Sequence, residues 1–163
     1  MIGYLGKVFN EAKITKKAKF ISLVTARLKE LHPDAFEECI SLCQPKINDM
    51  EMIPIVISEV LAVYPWKLEN YKTILATVYW IFAPWKILQH DNKLPTGMRD
   101  LICSGLKCTH PETVSMESMH LAVYWKNPRF KEKVTELADK IYNDLDRAGY
   151  LEVGTWKTDY KVK

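Results

Sequence analysis

A chain of 163 residues, 48% hydrophobic and 26% charged, has the size and composition of one ordinary globular domain and needs no covalent staples to bury a core. Six glycines leave little for a phosphate-cradling loop, and four oddly spaced cysteines do not make a disulfide framework. The net charge of +3 is too small to imply nucleic acid by itself, but it is unevenly spread: residues 1–30 carry seven Lys/Arg against two Asp/Glu (+5), and residues 31–80 carry three against seven (−4).

The chain opens with a helical pattern. Ile14, Ala18, Ile21, Leu28 and Leu31 recur at spacings of three, four or seven, with Thr15 as N-cap and Pro33 as the stop. Pro33 then suits the first turn of a second helix, with Phe36, Cys39, Ile40 and Cys43 along a core face and Gln44-Pro45 as its end. Residues 45–53 read as a loop. The run Ile53 to Tyr64 is rich in β-branched residues, yet its length and its Glu59, Leu61 and Ala62 favour a helix beginning near Pro54. If strands occur, this run and the C-terminal tail are where they are expected.

Leu68, Tyr71, Leu75, Val78 and Phe82 follow at +3, +4, +3 and +4, with most other faces apolar from Ile74 onward, which predicts a central helix broken at Ala83-Pro84. A polar loop leads to Thr96, a candidate N-cap for a short helix through Met98, Leu101, Ile102 and Leu106 that ends near Gly105. Thr109 and Glu112 fit a capping box around Pro111 for a helix to about Lys126. The last helix has Asn127 as cap, Pro128 at its first position, a stripe of Phe130, Val134, Leu137, Ile141 and Leu145, and Gly149 past its end.

The expected fold is therefore mainly α: a single-domain irregular helical bundle of about six to eight helices over residues 1–149. Residues 150–163 are expected as a C-terminal tail or arm, with a short β or extended segment as its alternative form. The longest uncharged stretch, Thr73 to Trp85, is thirteen residues and too short to span a bilayer. No charged segment followed by a long apolar run stands at the N-terminus. An intracellular, cytoplasmic protein with no signal peptide, no transmembrane segment and reduced thiols is the expectation.

Catalysis lacks a local signature. There is no GxSxG, no CxxC and no dinucleotide fingerprint, and the carboxylates fall on charged helix faces. Glu59 is the oddly placed acid, read as the exposed edge of its helix. No enzyme activity, cofactor or small-molecule substrate is indicated. Zinc needs thiolates and imidazoles in a tetrahedral set, and Cys103, Cys108, His110 and His120 are the candidates, at a spacing that matches no strong pattern. His32 with Cys39 and Cys43 forms a weaker set. Lys13, Lys16, Lys17, Lys19 and Arg27 cluster on and before the first helix, a face able to neutralise phosphates on nucleic acid or an anionic surface. A helix-turn-helix over residues 97–125 is disfavoured because its second helix offers Met, Leu, Val and Trp rather than base-reading side chains.

Five tryptophans cannot all sit at the centre of so small a domain. Trp85 after its proline, and Trp156 and Tyr160 in the tail, are the candidate partner-binding aromatics. The leading expectation is a non-enzymatic helical protein–protein interaction module, an adaptor, stoichiometric inhibitor or assembly subunit, binding a protein partner or itself. A nucleic-acid or anionic-surface binder using residues 13–29 is the alternative, and a small zinc-binding protein the second.

Overall fold

A computed structural model describes residues 18–88, 93–108 and 111–151. Eight α-helices and one 3-10 turn occur among them, with no strand. They are α1 (residues 18–31), α2 (Pro33–Cys43), α3 (Ile53–Val63), α4 (Tyr71–Phe82), α5 (Trp85–Leu88), α6 (Met98–Gly105), α7 (Pro111–Tyr124) and α8 (Pro128–Arg147), with the turn at Met50–Met52 before α3. The chain is mainly α, as its periodicities predict. None of the helices among the described residues is long and apolar enough to cross a membrane.

The residues divide into two units, Met1–Leu42 and Cys43–Lys163. The second unit is a bundle around α4. Ile74, Leu75, Ala76, Val78, Tyr79 and Ile81 are all fully buried, so the helix is covered on every side. α8, α3 and α7 pack against it, and α6 packs on α3 and α7. Each fully buried aliphatic side chain of this set contributes about 1.5–3 kcal/mol. Leu68, expected as the first residue of this stripe, is instead 92% exposed in the turn before Tyr71.

Backbone groups at the end of α4 show how it is tied in. The last carbonyls of a helix have no partner within it. The Ile81 carbonyl accepts from the N–H groups of Lys46 and Ile47, at 2.7 and 3.3 Å, so residues 46–47 close this end. Lys46 also reaches Asp139 on α8 at 2.8 Å.

The β-branched run does form a helix. α3 begins at Ile53 with Pro54 in its first turn, and it buries Ile53, Val56, Ile57 and Val60 while Glu59 stays exposed. Tertiary burial at helical spacing overrides the mild strand preference of Ile and Val. α8 has the cap that was expected: Asn127 Oδ1 accepts from the Arg129 N–H at 3.0 Å, and Val134, Leu137, Ile141 and Leu145 are buried. For α6, the cap position is held by Gly97 in a left-handed conformation (φ 83°) rather than by Thr96. Thr15, Thr109 and His110 lie outside the described residues, as does the tail from residue 152.

Candidate interaction surface

The first unit has a different character. His32 is the sole non-helical residue between α1 and α2, and the helical ladder runs through it: His32 N–H donates to Leu28 O at 2.8 Å, and Phe36 N–H to His32 O at 3.0 Å. Pro33 has no N–H to give and clashes with the preceding turn, which bends the helix rather than ending it. α1 and α2 are one bent rod. Lys29 Nζ stands 5.7 Å from the centre of the Phe36 ring across the bend.

No residue from 18 to 42 is buried, and only Phe36 and Ile40 are half-buried. Phe20, Ile21, Leu23, Val24, Leu28 and Leu31 are all exposed, Phe20 at 66% and Leu31 at 65%. Ile21, Val24, Leu28 and Leu31 recur at +3, +4 and +3, the seam of a helix that pairs with another. Cys39 and Cys43, read from the sequence as part of a core face, are exposed on this rod. The pattern is apolar, but the cover it implies is not supplied within the rod.

The basic cluster is divided by what is described. Lys13, Lys16 and Lys17 lie outside the described residues. Lys19 is exposed, and Arg27 is exposed and paired with Glu30 at 2.7 Å. The three bases of residues 18–31 (Lys19, Arg27, Lys29) stand against Glu30, a local charge of +2. α2 holds Asp34, Glu37 and Glu38 with no Lys or Arg, a local charge of −3.

A second apolar surface lies on α7. Its buried side is Val114, Ser118 and Leu121, and Met116, Met119 and Val123 are exposed on the opposite side, Val123 at 63%. At 100° per residue the two triplets are about half a turn apart. The apolar content that argues against a DNA-reading helix is thus partly outward-facing. Lys72 from α4 bonds the Tyr124 hydroxyl and lies 4.2 Å from that ring's centre, at the end of this face.

Trp85 is half-buried and packs against the core, so only part of its ring is offered outward. Trp80 and Trp125 stack at 4.6 Å between ring centres. Trp156 and Tyr160 lie outside the described residues. Trp66, exposed at the α3–α4 turn, sits edge-on to Tyr71 at 5.0 Å.

Of the four candidate zinc ligands, the structure brings two together. Cys103 and Cys108 stand Sγ to Sγ at 2.6 Å. Two thiolates sharing a tetrahedral zinc stand about 3.8 Å apart at ordinary Zn–S lengths. His120 is exposed on α7 and His110 lies outside the described residues. Among the described residues, no three His, Cys, Asp or Glu side chains are grouped to hold a metal ion.

Compared with protein-family models, with curated proteins and with solved structures, the chain finds no match in any of the three.

Proposed function

We propose that this chain is a non-enzymatic helical protein–protein interaction module, an assembly subunit whose bent α1–α2 rod docks onto a second copy of itself. The observation that carries this reading is a rod with a helix-pairing seam and no buried residue. Most helical stability in proteins comes from packing of an apolar face, and the apolar face of this rod has no cover within the rod.

Charge favours a second copy over an unrelated partner. One half of the rod is +2 and the other −3. Antiparallel pairing of two rods lays each basic half on the acidic half of the other, a self-complementary arrangement with two-fold symmetry. Parallel pairing would set like charge on like.

Sedimentation equilibrium of the full chain tests this. The wild type is expected to dimerise in the micromolar range, and an Ile21→Glu/Val24→Glu variant to stay monomeric, with any loss of helicity confined to the rod. A wild type that is monomeric throughout overturns the reading. So does binding of anionic vesicles or duplex nucleic acid through Lys19 and Arg27 without self-association. Loss of dimerisation on removal of residues 150–163, with the seam intact, would move the docking element to Trp156 and Tyr160.

A further inference from the structure

The 2.6 Å between Cys103 Sγ and Cys108 Sγ is far inside the roughly 3.5–4.0 Å at which non-bonded heavy atoms rest, and only about half an ångström longer than a disulfide. The backbone sets this approach. Lys107 has a left-handed φ of 52°. Its N–H donates to Ser104 O at 3.1 Å, and the Cys108 N–H donates to Cys103 O at 3.0 Å. This pair of bonds is the Schellman helix stop, in which the residue after the left-handed position folds back on the residue five before it. A hydrophobic contact usually fills that place; here two thiols do. The Cys103 thiol also donates to Cys108 O at 2.7 Å. The pair is therefore held by the end of α6 and not by the chance meeting of two mobile side chains.

We propose that Cys103 and Cys108 form a dithiol–disulfide site, oxidised reversibly by low-molecular-weight disulfides of the glutathione class. Cys108 is half-buried and Cys103 buried, so Cys108 is the sulfur such a reagent reaches. The Cys108 thiolate attacks one sulfur of the reagent. A mixed disulfide forms as the reagent's S–S bond breaks, and one glutathione thiolate leaves. Cys103 then gives up its proton and attacks Cys108 Sγ, forming the internal disulfide and expelling the second glutathione thiolate. Two protein thiols lose two electrons, one reagent disulfide gains them, and the two protons end on the two released glutathiones.

Cys39 and Cys43, exposed and one helical turn apart on α2, provide an internal comparison. The full chain is equilibrated in glutathione buffers of rising oxidised fraction, quenched in acid, alkylated, digested with trypsin and weighed without reduction. Trypsin cuts after Lys107, between the two cysteines, so the disulfide joins peptides 100–107 and 108–126, and reduction separates them. The joined pair is expected at an oxidised-to-reduced ratio at least about tenfold below that for any disulfide of Cys39 or Cys43. Cys108→Ser should abolish it; if that variant fails to fold, the wild-type comparison decides alone. Recovery of Cys103 and Cys108 only as alkylated thiols or glutathione adducts, or closure no easier than at Cys39 and Cys43, overturns the proposal.

Discussion

Gly105 lies against Ile57 so closely that a Cβ on the glycine would meet Ile57 Cδ1 at 2.8 Å. The same Cβ would come within 3.3 Å of Pro54 Cα, which is backbone and cannot rotate away. α6 and α3 thus pack at the closest approach a glycine permits. Alanine gains about 1 kcal/mol of helix propensity over glycine, but forcing a methyl into a filled contact costs about 1–3 kcal/mol. Gly105→Ala is therefore expected to lower stability by about 1 kcal/mol in urea denaturation, and adding Ile57→Val should recover part of the loss. An alanine variant more stable than wild type would show that the two helices separate readily.

This contact marks the limit of what the sequence discloses. Gly105 reads there as a helix stop, and α6 does end at it, but its second role needs the three-dimensional neighbour. Elements with matching periodicity and punctuation, α4 and α8 above all, are legible because burial, cap and stop agree. The α1 seam is equally periodic, and periodicity alone does not say what covers it. The bend at Pro33 reads as a break between two helices, because the sequence cannot show that hydrogen bonds at His32 continue the ladder. The meeting of Cys103 and Cys108 is hidden for a related reason: a Schellman stop is normally announced by glycine, and here the left-handed residue is Lys107.

That lysine gives a second prediction. α8 ends in the same way, with Gly149 at φ 75° donating to Asp146 O and Tyr150 donating to Leu145 O, both at 3.0 Å. A non-glycine residue in this conformation is penalised by about 1–2 kcal/mol. Lys107→Gly should raise stability by about 0.5–1 kcal/mol, since glycine also loses more freedom on folding. Gly149→Ala should lower it by about 1 kcal/mol, although open space surrounds the added methyl. Thermal unfolding of the two variants should shift in opposite directions.

Tyr71 makes stability depend on alkali. Its hydroxyl is buried without a hydrogen-bond partner, and burial, then the charges of Cys108, Glu117 and Cys103, push its pKa from 10.0 to about 12. Burial also raises Tyr79. Above the unfolded pKa the unfolded chain releases a proton that the folded chain keeps, so the unfolded state is favoured. Tyr71 leaves stability independent of pH below about pH 10 and lowers it as pH rises toward about 12. Tyr71→Phe should flatten this part of the curve. At neutral pH it should leave stability unchanged or raise it by up to about 2 kcal/mol, because an unpaired buried hydroxyl is removed. Denaturant midpoints from pH 8 to 12 would check both parts, and an identical alkaline slope in the variant would count against the assignment.

The rod offers the sharpest test of self-association, because its two halves can be recharged separately. Arg27→Glu/Lys29→Glu changes residues 18–31 from +2 to −2, leaving Lys19 against three glutamates. Glu37→Lys/Glu38→Lys changes α2 from −3 to +1, leaving Asp34 against two lysines. In an antiparallel pair the first variant sets −2 on −3 and the second sets +2 on +1, so each should dimerise at least about tenfold more weakly than wild type, or about 1.4 kcal/mol. Mixed together, the two variants place −2 on +1 and +2 on −3, and a heterodimer should form where neither homodimer does. High salt should shrink the contrast, since these charges are exposed. All of the substituted side chains are exposed, so helicity lost with the dimer in either variant alone should return in the mixed pair, as circular dichroism would show. Homodimers of undiminished strength in both variants, with no preference for the mixed pair, would remove charge complementarity as the reason one copy docks on another.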